Sequence, residues 1–414
     1  MEAMLSPYKA LDLTDHKGFL CGKILADLGA DVIKIEPPGG CPSRNIGPFY
    51  GNIPHPERSL YWFVYNANKR GVTLDIETAQ GRDILKKLAA RADFIIESFS
   101  PGYLDNLGLG YEALQQVHPR LVMTSITPFG QSGPYKDYQA TDLVGMAMGG
   151  LMYLTGDSDR PPVRISFPQA YLHAAADAAC GTLLAHYHRE LTGQGQHVDV
   201  SMQQSVVWTM INARPFWELT GTFLKRVGPF RAGLSSGSIQ RQTWSCRDGA
   251  VTFTVMGGAG GAETNRALVE WMDEEGMADE ALKGIDWDAF DMAAASREFH
   301  QRIEDKIGRF FAAHTKEELF TEAVKRRIML YPVNTPADIA VSPQLAAREY
   351  WVEVEHTELG ACISYPGTFL KSSEVSCSLR RRAPLIGEHN HEIYQQELGL
   401  SDDQLAALRE AGII

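Results

Sequence analysis

The segment from residue 164 to residue 202 reads RISFPQAYLHAAADAACGTLLAHYHRELTGQGQHVDVSM, and it predicts a helix joined to a strand. Pro168 lies where a helix would begin, and a run rich in alanine continues to about Glu190. The polar turn TGQGQ breaks this helix, after which HVDVSM alternates as a strand does. Because small side chains let another backbone come close, side chains of the first turn can face a pocket, and Tyr171 lies in that turn.

The sequence before this segment alternates between helix and strand patterns. In GKILADLGADVIKIEPPGG, apolar residues at helical spacing end at Gly29, and an apolar strand pattern over 32–35 ends at two prolines. Further strands are predicted at 72–76, 93–98 and 121–126, with a helix at about 79–91. This alternation predicts an α/β fold in which helices cover both faces of a largely parallel sheet.

The composition is that of a folded globular protein and argues against several functions. With 414 residues, 44% hydrophobic and 22% charged, the chain can bury a large core in two or three domains. A formal charge of −12 argues against binding to nucleic acid or an anionic membrane, since both require a basic face. No window approaches 18 apolar residues and the N-terminal residues lack a signal-peptide pattern, so we expect a cytoplasmic protein. The cysteines lack C-x-x-C spacing, which predicts neither a disulfide framework nor a metal site.

Blocks spread over the chain resemble CoA-transferase family III. Four of them precede the central segment in the family's order: LADLGADVIKIEPPGG, NANKRGVTLDIETAQGR, SFSPGYLDNLGLGYEAL and SITPFGQSGPY. The central helix with its TGQGQ turn follows, and PLIGEHNHEIYQQELGLSDDQLAALREAGII closes the chain. The resemblance implies a role in moving CoA from an acyl-CoA to a carboxylic acid, with no covalently bound cofactor.

The resemblance also implies the domain organisation. Both chain ends, residues 1–205 and 331–414, would form a large Rossmann-like domain, and 206–330 would hold a linker and a smaller α+β domain. The character of the sequence changes from about residue 211 to 330, where segments rich in Trp, Gly and Met replace the strand and helix alternation. Family members are interlocked dimers, so the resemblance implies that each chain threads through its partner.

Tyr171 occupies the position that decides the chemistry. Counting back from the HRE before the turn, the resemblance places Tyr171 where the family has an Asp whose carboxylate attacks the thioester. A phenol has a pKa near 10, so about one molecule in a thousand is ionised at neutral pH. Its acyl ester would also be a poorer acyl relay than the anhydride that a carboxylate forms. We therefore expect Tyr171 to pack or to close the pocket.

Neighbouring residues do not replace the missing carboxylate. Asp177 lies about 120° around the helix from Tyr171, and His173, two residues on, does not share its face. We interpret Asp177 as a hydrogen-bonded or interface carboxylate and His173 as a structural residue. Racemases of the family carry a His in a GHD triplet after the GQxGP loop, whereas residues 140–142 read ATD here. Because neither Thr nor Tyr titrates near pH 7, the sequence argues against a racemase.

A further set of residues concerns CoA, whose phosphates and adenine need cations and backbone donors. Four residues match stretches that hold CoA in the family, and two more lysines are candidates for partial compensation: Lys69, Arg70, Ser98, Phe99, Lys17 and Lys136. Asn106 and Pro37, however, stand where many members place basic residues. The resemblance therefore implies a relaxed CoA pocket with weakened binding.

Three interpretations stay open. The chain is a non-catalytic subunit whose paralogous partner brings the Asp, or an independently active CoA-transferase with another nucleophile, or a non-enzymatic binding or regulatory homodimer. We favour the first, because a single decisive substitution lies in an otherwise complete family pattern. Paired subunits of this kind resemble the succinyl-CoA-dependent transferases of anaerobic aromatic degradation, which activate arylsuccinates. The sequence does not name the acceptor acid.

Overall fold

In the computed structural model, which describes residues 3–232, 239–291 and 294–414, six parallel strands form the sheet of a first compact unit. The strands are β1 (Lys9–Leu13), β2 (Asp31–Glu36), β3 (Arg70–Thr73), β4 (Phe94–Glu97), β5 (Val122–Thr127) and β6 (Gln196–Ser201). Their order in the sheet is β3-β2-β1-β4-β5-β6, so the direction of winding reverses between β1 and β4. In such sheets, ligands bind outside the carboxyl ends of the strands at the reversal.

Helices accompany these strands up to residue 208. They are α1 (Phe19–Asp27), α2 (Leu60–Asn66), α3 (Ala79–Ala89), α4 (Tyr103–Asn106), α5 (Tyr111–Val117), α6 (Asp142–Met148), α7 (Ala170–Thr192) and α8 (Met202–Trp208), with short 3-10 turns at Pro42–Asn45, Tyr50–Asn52 and Leu151–Leu154. Buried side chains in register, such as Leu11 opposite Ile33 and Ile95, form a continuous core across the sheet. The predicted α/β class with a parallel sheet is confirmed.

The central segment folds into α7 and β6, as predicted. The helix ends at Gly193, whose φ of +77° lies in the left-handed region that glycine adopts without strain. Ala174 and Ala178 are fully buried, so the alanines allow close packing, and α7 packs against α1. The opposite face of α7 is exposed in the single chain and carries large apolar side chains, which we call the α7 apolar face: Leu184, Tyr187 and Leu191.

A second unit comprises Met152–Arg164 and Ile211–Ser342. Its described elements are α9 (Ala213–Thr220), β7 (Phe230–Ala232), β8 (Ile239–Arg241), β9 (Thr243–Cys246), β10 (Gly249–Thr252), α10 (Ala259–Glu274), α11 (Glu280–Lys283), α12 (Arg297–Ala312), α13 (Lys316–Arg326), β11 (Tyr331–Pro332) and α14 (Pro336–Ala340). Strands β11, β10 and β9 form an antiparallel sheet, and β7 pairs with β8. Trp244, Trp271, Phe310 and Phe311 lie in its core.

The C-terminal part of the chain, Pro343–Ile414, belongs to the first unit. It contains α15 (Pro343–Ala347), the hairpin β12 (Trp351–His356) and β13 (Ala361–Pro366), a π-helical segment His391–Glu397 and α16 (Asp402–Glu410). The hydroxyl of Tyr394 donates to the carbonyl of Thr73 at the end of β3 (2.8 Å), so the end of the chain completes the sheet unit.

The two units differ from the predicted divisions 1–205, 206–330 and 331–414 in three segments: residues 152–164 and 331–342 fall in the second unit, and 206–210 fall in the first. Residues 152–164 belong to the second unit, where the guanidinium of Arg226 donates to the carbonyls of Asp157 (3.0 Å) and Arg160 (2.8 Å). No local pattern in the sequence distinguishes this segment from the residues around it. No helix in the described part of the chain combines the length and apolar character needed to cross a bilayer.

Candidate functional site

A cavity of about 380 Å³ opens at the carboxyl ends of β1 to β4, beside the reversal of strand order. Its walls come from the strand ends and the loops that follow them: Leu13, Thr14, Asp15, Ile35, Glu36, Pro37, Cys41, Pro42, Leu74, Asp75, Ile76, Glu77, Ser98, Phe99 and Tyr103. The place and the volume are those expected of a small-molecule site in a doubly wound sheet.

Ser98 and Phe99 line this cavity. The hydroxyl of Ser98 donates to the carboxylate of Asp15 (3.0 Å) and accepts the backbone N–H of Asp15 (2.9 Å), which ties the loops after β1 and β4 together. The ring of Phe99 stacks on Tyr103 with centroids 4.6 Å apart. Both residues are therefore placed where a ligand can touch them, and their role in holding CoA stays a prediction.

Lys69 lies in the core instead of at a ligand surface. Its side chain is fully buried, and its ammonium is 2.7 Å from a carboxylate oxygen of Asp12 and 3.0 Å from the carbonyl of Phe19. Lys34, also buried, reaches the other oxygen of Asp12 at 3.3 Å. Burial lowers the pKa of Lys69 to about 8, although Asp12 opposes the shift. The structure thus gives Lys69 a partner inside the protein, and the expected contact with CoA has to be revised.

Arg70 is also committed to internal ion pairs. The residue is 6% exposed, and its guanidinium donates to Asp31, Glu392 and Glu397. Arg70 opens β3 and lies beside Ile33, whereas the cavity begins where β3 ends. The strand separates Arg70 from the cavity, and its role in binding CoA stays a prediction that these internal ion pairs do not favour.

The two lysines considered as partial replacements have different surroundings. The Lys17 ammonium is paired with Asp15, a cavity residue, so its charge is partly used within the loop after β1. Lys136 is exposed in the loop after β5. Pro37 lines the cavity, and Asn106 is exposed at the end of α4. The described lining of the cavity therefore contains neither lysine nor arginine.

Tyr171 lies in the first turn of α7 and is 6% exposed. One carboxylate oxygen of Asp142 accepts the backbone N–H groups of Gln169 and Ala170 (both 2.8 Å) and of Tyr171 (3.4 Å). Asp142 thereby satisfies donors that a helix start otherwise leaves unpaired, and its negative charge is favourable at the positive end of the helix. The start of α7, and Tyr171 with it, is fixed by this carboxylate.

The ring of Tyr171 stands nearly perpendicular to that of His16, with centroids 5.2 Å apart. Burial raises the pKa of Tyr171 above 10, and burial lowers the pKa of His16 below 6.5. A ring nitrogen of His16 lies 3.2 Å from the hydroxyl of Ser43. At neutral pH the pair therefore consists of a neutral phenol and a neutral imidazole. Asp177 is exposed on another face of α7, as helical geometry predicts.

Asp142 and His16 are functional candidates that sequence reasoning did not identify. In the sequence, residues 140–142 indicate only the absence of a racemase His, because no local pattern links Asp142 to a helix that begins at Ala170. The position of His16 could have been recognised from the sequence. It lies three residues after the end of β1, and the carboxyl ends of parallel strands meet at the edge of the sheet where ligands bind. Asp15 and Glu77, which line the cavity, carried the same signal after β1 and β3.

Glu97 is a buried carboxylate at the end of β4, next to the cavity residues Ser98 and Phe99. One of its oxygens accepts the backbone N–H of Phe99 (2.7 Å), and Ser125 lies opposite it on β5. Burial raises the pKa of Glu97 to about 7, although hydrogen bonds from Ser125 and Phe99 oppose the shift. The folded protein therefore holds a proton on Glu97 at a pH where the unfolded chain has lost it.

This shift predicts a pH-dependent effect of Glu97→Gln. A carboxyl whose pKa is raised on folding stabilises the protein below its unfolded value of 4.5, and this contribution is lost as pH rises to about 7. The variant has no such loss, so its free energy of unfolding relative to wild type should be about 2 kcal/mol higher, that is more stable, at pH 8 than at pH 5.5. Urea denaturation at both pH values checks this, with the exposed Glu263→Gln as control. A difference independent of pH would contradict it.

Comparison with known proteins places this geometry in a family. The model of CoA-transferase family III matches residues 5–390. The chain is 37% identical to the succinyl-CoA:(R)-benzylsuccinate CoA-transferase subunit BbsE of Thauera aromatica, over 94% of this chain and 93% of that protein. It is 32% identical to succinyl-CoA–D-citramalate CoA-transferase of Chloroflexus aurantiacus, over 96% and 94% of the two chains. The crystal structure of a CAIB/BAIF family protein from Brucella suis superposes with a TM-score of 0.80 at 28% identity, covering 96% of this chain and all of that one. This chain belongs to CoA-transferase family III.

Proposed function

We propose that this chain is a non-catalytic subunit of a heteromeric CoA-transferase, and that a paralogous subunit brings the nucleophilic Asp. The observation that carries the proposal is Tyr171, which is buried and whose pKa is raised at the position of the family's nucleophile. An uncharged phenol attacks a thioester poorly, and the aryl ester that it would form is a poorer acyl relay than the anhydride formed by a carboxylate. The chain keeps the sheet and helices of the family fold around Tyr171, so we expect it still to assemble with a partner subunit.

The proposed reaction moves CoA from succinyl-CoA to an aryl- or alkyl-succinate. Support comes from the relatives, because two of them are named for succinyl-CoA as donor and one is named a subunit that acts on benzylsuccinate. The reaction would place the protein in anaerobic degradation of aromatic compounds. Succinate and an arylsuccinate share the 1,4-dicarboxylate, so one site can alternate between them.

A second candidate function, an independently active CoA-transferase, is favoured by one observation. His16 contacts Tyr171, and burial lowers its pKa so that the imidazole is neutral at pH 7. A neutral imidazole can attack the donor thioester, release CoA as its thiolate and carry the acyl group as an acyl-imidazole. The acceptor carboxylate would then displace the imidazole to give a mixed anhydride of the two acids. The CoA thiolate would attack this anhydride at the acceptor carbonyl and release the donor acid. In this alternative His16 replaces the family's Asp, and the chain needs no partner for chemistry.

Co-expression with a paralogue that has Asp at the matched position tests the proposal. We expect the two chains to purify together and to form benzylsuccinyl-CoA from succinyl-CoA and benzylsuccinate. Replacing the partner's Asp by Ala should abolish the reaction, while an intact partner should restore it. Activity of this chain alone would support the independent enzyme. If the chains neither associate nor react in any combination, the third interpretation, a non-enzymatic regulatory homodimer, gains support.

We also propose that the chain forms an interlocked two-chain assembly, with the paralogue or, in isolation, with itself. The α7 apolar face supports this, since Leu184, Tyr187 and Leu191 are 64–69% exposed in the single chain. These residues are three and four positions apart and share one side of the helix. A soluble protein rarely leaves such a stripe in water.

Light scattering should therefore give the mass of two chains of 45.8 kDa each. Replacing Leu184 and Leu191 together by Glu should shift the mass toward one chain, because two charges would be buried against an apolar partner surface. Val324→Glu, at a comparably exposed apolar residue of α13, serves as the control and should not change the mass. A wild-type mass near 45.8 kDa would contradict the proposed assembly.

A further inference from the structure

The cavity at the carboxyl ends of β1 to β4 has an unusual charge distribution. Four carboxylates line it, and its described lining contains no lysine or arginine: Asp15, Glu36, Asp75 and Glu77. The other walls are largely apolar or aromatic, and they include Ile35, Ile76 and Phe99. A ligand that enters the cavity therefore meets apolar surfaces and hydrogen-bond acceptors, but no fixed cation.

The four carboxylates are not equally neutralised. Glu36 is buried and accepts two hydrogen bonds from the guanidinium of Arg44, both 2.7 Å long, while Asp15 is paired with Lys17. Asp75 and Glu77 lie in the loop between β3 and α3, and no cation within the described residues forms an ion pair with either. The negative charge of the cavity is therefore concentrated on this loop, which we call the acidic rim.

The pKa of Tyr103 reflects the negative charge of the acidic rim. Its hydroxyl donates to the carboxylate of Glu77. Burial, this hydrogen bond and the charges of Glu77 and Asp75 together raise the pKa of Tyr103 to about 12. A second negative charge brought to the same place would meet the same repulsion.

The chemistry of the cavity matches the nucleoside end of a CoA thioester without its ribose phosphate. A volume of about 380 Å³ accommodates a base and a ribose, the apolar walls fit the faces of the base, and carboxylates accept its amino protons. The 3′-phosphate of CoA carries a charge of about −1.5 to −2 at pH 7 and requires cations or backbone donors. At the acidic rim it would meet Asp75 and Glu77 instead.

We propose that this chain does not use the 3′-phosphate of CoA, so that 3′-dephospho-CoA thioesters bind at least as tightly as CoA thioesters. The inference rests on the proposed function in that it takes a CoA thioester as the ligand. It specifies which part of that ligand the cavity selects against. Pro37 contributes to this selectivity, because it lines the cavity without bringing a charge to it.

Calorimetric titration of the full chain with CoA and with 3′-dephospho-CoA tests the proposal. We expect 3′-dephospho-CoA to bind with equal or up to about fivefold higher affinity. The double variant Asp75→Asn and Glu77→Gln should raise the affinity for CoA about fivefold relative to that for 3′-dephospho-CoA, because the amide oxygens still accept hydrogen bonds from a base but carry no charge. Pro37→Arg should favour CoA alone, by about tenfold or more. Glu112→Gln removes an exposed carboxylate outside the lining and should alter neither affinity.

Two outcomes would overturn the proposal. One is wild-type affinity for CoA that exceeds that for 3′-dephospho-CoA by more than the error of the titration, and the other is no binding of either ligand at millimolar concentration. The test is independent of subunit composition, because it measures the ratio of two affinities on this chain. Failure to associate with an Asp-bearing paralogue would refute the proposed function while leaving that ratio measurable.

Discussion

Purified alone, this chain should show no detectable transfer of CoA from succinyl-CoA to any carboxylic acid. Its rate should be at least about a thousandfold below that of the complex with an Asp-bearing partner. The physical reason is the ionisation of Tyr171. At its ordinary pKa a phenol is ionised in about one molecule in a thousand at pH 7, and burial raises the pKa of Tyr171 further. Only 6% of the residue is exposed, so little of the phenol is open to a thioester. Initial rates with succinyl-CoA and a panel of acids measure the difference.

Two variants and one direct assay complete this test. Tyr171→Phe keeps the ring and removes the hydroxyl, so the rate of the heteromer should not change. Tyr171→Asp restores a carboxylate at the start of a helix whose first N–H groups are already bound by Asp142, so any restored activity should be small. Mass spectrometry after incubation with an acyl-CoA should show no adduct on this chain. An acyl or CoA adduct on Tyr171, His16 or Asp177 would show that the subunit performs chemistry itself.

The element that carries Tyr171 could be predicted from sequence because its signals are local. Proline before the helix, alanines along it and a glycine turn after it determine α7, and the structure ends the helix at Thr192, two residues beyond the predicted Glu190. The predicted strands also lie within one or two residues of their observed starts: 121–126 became Val122–Thr127, and 72–76 became Arg70–Thr73. Each of these patterns depends on a few neighbouring residues.

The site was harder to predict because its contacts join distant parts of the chain. The carboxylate of Asp142 meets residues 27 to 29 positions further on, and the ammonium of Lys69 meets Asp12 across 57 positions. Sequence alone gave Lys69 and Arg70 as a basic pair before a strand, without indicating whether they face a ligand or the core. A charged side chain can enter the core only with a partner, and that partner was visible only in the folded structure.

Lys69→Met should destabilise the protein by about 3–5 kcal/mol, because it removes one partner of a buried ion pair. Asp12 has no exposed surface, and its pKa is the balance between burial, which raises it, and the ammoniums of Lys34 and Lys69, which together lower it to about 2. After the substitution Lys34 remains 3.3 Å from one oxygen, but the other oxygen loses the 2.7 Å contact with Lys69. Thermal unfolding should show a midpoint lowered by about 5 °C.

Lys136→Met is the matched control, since it makes the same change at an exposed lysine that was also expected near CoA. Its stability should stay within about 0.5 kcal/mol of wild type. Comparing the two variants separates a structural lysine from a ligand-binding one. If Lys69 bound CoA from a solvated site, Lys69→Met would keep its unfolding midpoint and lose affinity for CoA. The buried contacts predict a large loss of stability instead. One carboxylate oxygen of Asp12 would lose its cationic partner at a place that water does not reach.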